Sequence, residues 1–285
     1  MRLLMMMLAM CSLSACQSFV VKDLDLIRPD NLTGYKTKAV FDQEKLQTIV
    51  PKAQLKEEQI GVVQDGSDTV TIRGVRVTVP EGKTTVLYFG GNLTHVDENA
   101  PLLAKLAGTC PAHFATFDYR GYGRTNGQPD ALLLKADALR VYDYVRAQTP
   151  GKLLVYGYSL GGFMAGHIAA NRPIDGLVLE GSGTTPADVV DAQIPWYFKP
   201  FVDVTISENL KTIDNLSATR DYPGKVLVIT GGKDTTMPAH LGKKLYENLR
   251  SQEKSYVFVE NGSHSNLTND AKVKSEYCAL LNRLN

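Results

Sequence analysis

The sequence has little of several things that would each fix a class. Its 285 residues hold one Trp, four Cys and five His. Lys and Arg number 31 against 30 Asp and Glu, a formal net charge of +1, so charge makes no case for nucleic acid or another polyanionic partner. No repeat period or low-complexity tract stands out, which excludes solenoids and arrays. No phosphate loop, dinucleotide fingerprint or metal-ligand spacing is visible, so neither cofactor nor metal is expected. The one strongly apolar run, Leu3 to Met10, is far shorter than the roughly 20 residues of a membrane-spanning helix. What is there, 44% hydrophobic residues in a chain of this length, suffices for one large domain with a substantial core.

The N-terminus reads as a targeting segment. Met1-Arg2 is a short positive start, the apolar run follows, and Leu13-Ser14-Ala15-Cys16 closes it. That ending resembles a bacterial lipobox, in which cleavage precedes the cysteine and the cysteine carries the lipid. Residues 1–15 are thus expected to be a signal peptide, Cys16 the lipidation site, 16–40 a tether and 41–285 the folded domain. The expected location is the cell envelope, with the membrane a partner through the N-terminal lipid. Gln17 rather than Asp after the cysteine favours the outer membrane in a Gram-negative cell. Cys11 leaves with the signal. Cys110 and Cys278 remain, and in an oxidising compartment they are either a disulfide or two buried thiols.

Hydrophobic patterning sets the fold class. Phe41 to Leu55 suits a short helix interrupted at Pro51. Ile60 to Val63, Val70 to Arg73 and Val75 to Val79 alternate or run apolar between turn signals, as antiparallel strands do. Strands and helices then alternate. Thr85–Phe89, Phe114–Phe117, Leu153–Tyr156, Gly176–Leu179, Val226–Ile229 and Ser255–Val259 read as strands. Leu134, Ala138, Val141, Tyr142 and Val145 form one apolar face at helical spacing after a cap at Asp130. The class is α/β: a mostly parallel sheet of about eight strands with helices on both faces. The rhythm breaks at about 183–216, read as a small cap whose Ile194, Trp196, Tyr197, Phe198 and Phe201 are expected to line a pocket.

The chemistry centres on Gly157-Tyr158-Ser159-Leu160-Gly161-Gly162. An apolar strand, a sharp turn around Ser159 and a helix make the context of a nucleophile elbow. A Ser hydroxyl needs a base, and the base an orienting acid. His264 follows the last strand at the carboxyl end of the sheet, and His95, His113, His167 and His240 read as surface or core residues. Asp234, in the loop after Ile229, is the expected acid, with Glu180 the rival one strand earlier. Two N–H donors are needed where oxyanion charge develops. Leu160, next to the nucleophile, is one. The loop Gly90-Gly91-Asn92-Leu93 supplies the other, at Asn92 or alternatively Leu93.

These motifs resemble the α/β-hydrolase superfamily over about residues 60–285. The elbow, the Asp234 loop and the Gly262-Ser263-His264 loop match its triad segments. Asp118-Tyr119-Arg120-Gly121-Tyr122-Gly123 resembles a segment of serine hydrolases of the Bem46 type, although Gly90-Gly91 stands where those relatives commonly have His-Gly. The resemblance implies hydrolysis through an acyl-enzyme, with a small acyl ester, thioester or amide as substrate. It also implies that the helix ending at Cys110 lies on the same sheet face as the one carrying Cys278, which favours the disulfide. The competing expectation is a non-catalytic envelope module that keeps the fold for binding or scaffolding.

Overall fold

The computed structural model describes residues 17–36, 40–63 and 69–285. The expected signal peptide, Cys16 and the turn at Asp65-Gly66-Ser67 lie outside them. The central sheet has eight strands in the order β10-β9-β7-β6-β4-β5-β3-β2. They are β2 (Gln54–Val63), β3 (Thr69–Thr78), β4 (Thr84–Phe89), β5 (His113–Phe117), β6 (Lys152–Tyr158), β7 (Gly176–Glu180), β9 (Lys225–Gly231) and β10 (Lys254–Val259). From β5 to β10 all neighbours are parallel, while β3 runs antiparallel to both β2 and β5. All six residues of β4 are buried, as a strand covered on both faces requires. The two antiparallel strands run longer than the sequence suggested, because β3 continues through Gly74, where a Cβ would sit 2.4 Å from the Phe117 ring.

Two separate cores fix the layers. One joins Leu87, Val155 and Val228 to α5 (Ala131–Ala147), α6 (Leu160–Asn171) and α10 (Ala239–Asn248). On the other face Val86, Tyr156 and Ile229 meet α3 (Gln43–Ile49), α4 (Val96–Thr109) and α11 (Ala271–Leu284). The period-2 alternation of each strand sends its side chains to these two cores in turn. Asp130 caps α5 as expected, its carboxylate accepting from the Leu133 N–H at 2.7 Å. The predicted apolar face of α5 is buried throughout.

The insertion between β7 and β9 holds α7 (Pro186–Gln193), a 3-10 turn (Lys199–Phe201), β8 (Val202–Ile206), α8 (Glu208–Lys211) and α9 (Asn215–Thr219). Its strand has a partner that sequence reading missed. β1 (Gln17–Val21) pairs with β8 in parallel, from Gln17 beside Val202 to Val21 beside Ile206. The stretch read as a tether is therefore folded over residues 17–33. After β1 come α1 (Asp23–Leu26) and α2 (Asp30–Thr33). Their latches are specific: the Ala131 N–H donates to Asp23 at 2.8 Å, Asp30 N–H to the Gly121 carbonyl at 3.0 Å, and Asp30 pairs with His95 at 2.9 Å. Ile27 is fully buried beneath them.

Cys110, directly after α4, and Cys278, on α11, are disulfide-bonded with Cα atoms 5.6 Å apart and a sequence separation of 168. A bridge closing so long a loop restricts the unfolded chain and contributes roughly 2–4 kcal/mol. Paired Cys110→Ala and Cys278→Ala substitution should lower unfolding stability by about that amount without loss of the fold. Denaturant titration checks this, and an unchanged midpoint would count against a structural role for the bridge.

Candidate active site

Ser159 stands on the turn from β6 into α6 with φ 54° and ψ −115°, a conformation few non-glycine residues hold. Its neighbours make room for it. A Cβ on Gly157 would lie 2.2 Å from the Gly161 carbonyl oxygen, and one on Gly161 2.0 Å from that of Phe89. The Ser159 N–H is tied to the Glu180 carbonyl at 2.9 Å, so the turn is braced by β7. The hydroxyl is thereby held clear of its own backbone at the carboxyl end of the sheet.

His264 Nε2 lies 2.9 Å from Ser159 Oγ, and His264 Nδ1 lies 2.7 Å from Asp234 Oδ2. An ionised carboxylate only accepts hydrogen bonds, so Nδ1 carries the proton and Nε2 is left to accept from the serine hydroxyl. The other carboxylate oxygen, Oδ1, accepts the N–H groups of Thr236 and Met237 at 2.9 and 2.8 Å. This fixes the acid in a turn where its side chain is fully buried, whereas the imidazole keeps 21% of its surface open toward a ligand. Ser159, His264 and Asp234, picked from loops 105 and 30 residues apart, are thus brought together. Glu180 is not part of this chain. Its buried carboxylate accepts from the Tyr156 hydroxyl at 2.7 Å. Burial pushes its pKa up to about 7, against the opposing pull of that hydrogen bond and of nearby His264.

The loop after β4 lies against the serine: a Cβ on Gly91 would come within 3.2 Å of Ser159 Cβ. The Asn92 side chain is fully engaged elsewhere. Its Nδ2 donates to the Leu26 carbonyl at 2.5 Å, and its Oδ1 accepts from the Arg28 N–H at 3.1 Å and the Tyr122 hydroxyl at 2.7 Å. The backbone N–H of Asn92 stands outside these contacts. Neither it nor the Leu160 N–H donates to another described residue.

The Asp118-to-Gly123 segment holds this loop in place, a role no sequence argument had identified. The Tyr119 hydroxyl donates to the Gly90 carbonyl at 2.8 Å, and Asp118 accepts from Val96 N–H at 2.7 Å and Arg124 N–H at 2.8 Å. Arg120, 1% exposed, pairs through two nitrogens with Asp137 on α5. The other histidines lie outside the site. His95 is buried against Asp30, His113 accepts from Val79 N–H at 3.1 Å, burial pushes His167 down to about 4, and His240 sits at the start of α10.

A cavity of about 720 Å³ opens beside Ser159 and His264. Its walls are mostly apolar: Leu160 and Phe163 from α6, Val189, Val190 and Ile194 at α7, Leu210 and Ile213 further along the insertion, and Met237 after Asp234. Asp25 to Arg28 form another wall, which sequence reading missed. Of the insertion's expected lining residues, Ile194 alone takes part. Trp196, Tyr197 and Phe201 are 81%, 54% and 65% exposed, and Phe198 packs on the core instead. The reason is local: the turn after Ile194 points outward, and β8 then binds β1 rather than covering the serine.

A family model described as the alpha/beta hydrolase fold matches residues 84–220. The lysophosphatidylserine lipase ABHD12 of Danio rerio is 29% identical over 60% of this chain and 48% of its own length. An uncharacterized protein of Mycobacterium tuberculosis is 31% identical over 63% of this chain and 62% of its own. The chain thus spans about half the length of the first relative and under two thirds of the second. The solved esterase Pf2001 of Pyrococcus furiosus superposes with a TM-score of 0.65 at 15% identity, covering 88% of this chain and 98% of that one. The fold is that of the α/β hydrolases. Over residues 84–220 the chain is similar to the α/β-hydrolase superfamily, whose fold it shares.

The two carboxylates should separate cleanly on mutation. Asp234→Asn should cut turnover by about 10⁴, as losing the tautomer-fixing acid does elsewhere. Glu180→Gln should change turnover by less than about tenfold, because a residue outside the relay holds no proton in transit. It should instead change the pH dependence of stability. Since the folded chain keeps the Glu180 proton up to about pH 7 and the unfolded chain releases it near 4.5, stability falls as pH rises through that window. Unfolding free energies across it should show Glu180→Gln gaining about 3 kcal/mol on the wild type. Loss of activity in Glu180→Gln equal to that in Asp234→Asn would overturn this division of roles.

Proposed function

We propose that this chain is a serine hydrolase that cleaves a carboxylic ester through an acyl-enzyme. The observation that carries the reading is the continuous Ser159–His264–Asp234 hydrogen-bond chain, at 2.9 and 2.7 Å, beside an apolar cavity. Ser159 Oγ attacks the carbonyl carbon while its proton passes to His264 Nε2. Asp234 keeps the imidazole in the tautomer that accepts this proton and stabilises the imidazolium that results. The oxyanion is met by the N–H groups of Leu160 and Asn92, the former at the positive end of α6. His264 then returns the proton to the departing alkoxide. Water, deprotonated by the same nitrogen, releases the acid and restores Ser159.

The apolar walls favour an acyl chain over water, and their volume suits a short or medium one. Esters are the first choice, thioesters and amides the lesser ones. In the envelope, residues 1–15 serve as signal peptide and Cys16 carries the lipid. The domain proper then begins at Gln17, with 183–216 as its cap.

A fluorophosphonate probe should label the wild-type serine and leave Ser159→Ala unlabelled. Equal labelling of both would end the triad assignment and favour the binding-module reading. The cavity is tested separately. Ile194→Phe should lower kcat/KM for an octanoyl p-nitrophenyl ester by about tenfold relative to the acetyl ester, because it fills the acyl site. Trp196→Ala, which leaves the cavity wall intact, should not change the preference among these soluble esters. An unaltered profile in Ile194→Phe would place the acyl chain elsewhere.

A further inference from the structure

Among the described residues, nine large hydrophobics are exposed, and five of them lie on β1, on the helix after it, or on the stretch leading into β8, the partner strand of β1. They are Val20 on β1, Leu24 on α1, and Trp196, Tyr197 and Phe201 on the stretch leading into β8. The aromatic part is a built surface, not a frayed loop. Trp196 packs edge-on against Tyr197 at 5.8 Å, Tyr197 lies 4.7 Å from Phe198, and Phe198 anchors the stretch on the core. The Phe201 N–H is tied to the Phe198 carbonyl at 2.9 Å. Lys199 sits inside the stretch, paired with Asp191 at 2.6 Å. Trp and Tyr with a flanking Lys are the side chains that settle at a membrane–water boundary, with rings in the headgroup layer and the ammonium toward water.

The chain itself names the occupant. Gln17 is in register with Val202, the residue after Phe201. Cys16, which the reading above takes as the lipid-bearing residue, is one position further toward the N-terminus. A lipid there enters the bilayer next to the exposed aromatics. Because β1 and β8 are paired along five residues, the cap is held at the membrane by backbone hydrogen bonds and not by a loose linker. No helix among the described residues is long and apolar enough to cross a membrane. A second cavity, of about 240 Å³, lies between α7 and β8, lined in part by Lys199, Val202 and Ile206. It shares Val190 and Ile194 with the larger cavity beside Ser159. These two side chains are thus the wall between the cavity beside Lys199 and the one beside Ser159.

We propose that the face bearing Trp196, Tyr197 and Phe201 seats on a lipid bilayer beside the lipid on Cys16, and that acyl chains of amphiphilic esters pass from that bilayer to Ser159 along Val190 and Ile194. This rests on the hydrolase and lipid-anchor readings and adds to them a surface, an orientation and a substrate class. The lipid fixes the chain to the bilayer, and the aromatic face fixes which side of the domain meets it.

The chain has a single Trp, so its fluorescence reports on this face alone. Protein extracted from membranes with its lipid is mixed with vesicles of phosphatidylethanolamine and phosphatidylglycerol. Emission should move to shorter wavelength, become shielded from iodide, and be quenched by lipids brominated in their acyl chains. Vesicle-bound protein whose Trp196 stays open to iodide overturns the proposal. So does a blue shift that depends on protein concentration without vesicles, which would make the face a contact between two copies. In the combined Trp196→Ser, Tyr197→Ser and Phe201→Ser variant, hydrolysis of a long-chain ester embedded in vesicles should fall about tenfold or more, while p-nitrophenyl acetate turnover stays within about twofold. Equal rates on the embedded ester in variant and wild type overturn the route. Fluorophosphonate labelling of Ser159 and the intact mass of the Cys16 peptide, taken on the same samples, separate failure of this inference from failure of the readings beneath it.

Discussion

The structure turns on the backbone of Ser159. A side chain at φ 54° costs about 1–3 kcal/mol and persists only where the surroundings over-determine it. Here they do so from three sides. β7 holds the Ser159 N–H through the Glu180 carbonyl. The bare faces of Gly157 and Gly161 let strand, turn and helix meet at distances that any Cβ would forbid. Ser182, on the loop after β7, donates to the Ser159 carbonyl at 3.0 Å. The position of the hydroxyl, the direction of α6 and the placing of the Leu160 N–H all follow from that one turn. Substituting either glycine should therefore misplace several functional atoms together.

A second constraint acts through Asn92. Its side-chain amide grips the backbone on either side of Ile27, donating to one carbonyl and accepting from one N–H. Tyr122 completes the same oxygen, and Tyr119 holds Gly90. The N-terminal segment is thus structural support for the loop that carries the proposed oxyanion donor, and at the same time a wall of the cavity. This ties three functions to residues 17–34: attachment to the cap through β1, fixation of the oxyanion loop, and shaping of the substrate space. Arg28 and Asp25, the charged residues on the cavity wall, come from the same segment.

How much of this the sequence disclosed depends on the range of the interaction. The parallel strands were legible because strands buried on both faces read as unbroken apolar runs. Ser159, Asp234 and His264 were legible because each follows such a strand, at the end where the loops converge. The Asn92 position was legible, but the work of its side chain was not, since amide contacts leave no period or spacing. β1 was missed for a different reason. Gln17-Ser18-Phe19-Val20-Val21 is a strand by composition, but its partner lies 185 residues away and no local signal joins them. The aromatics at 196–201 were assigned to the pocket because apolarity says that a side chain is worth burying, not which surface will cover it. Asp118, Arg120 and the two tyrosines showed only as a family resemblance, and their hydrogen bonds now explain why that motif sits opposite the oxyanion loop.

The central claim is that Ser159 carries the acyl group. Acid quenching of the protein during turnover of a slowly hydrolysed ester, followed by intact-mass and peptide analysis, tests it most directly. The mass should rise by one acyl group, and the modified peptide should be the one containing Ser159. Turnover with an unmodified chain, or an acyl group on any other residue, would contradict the account.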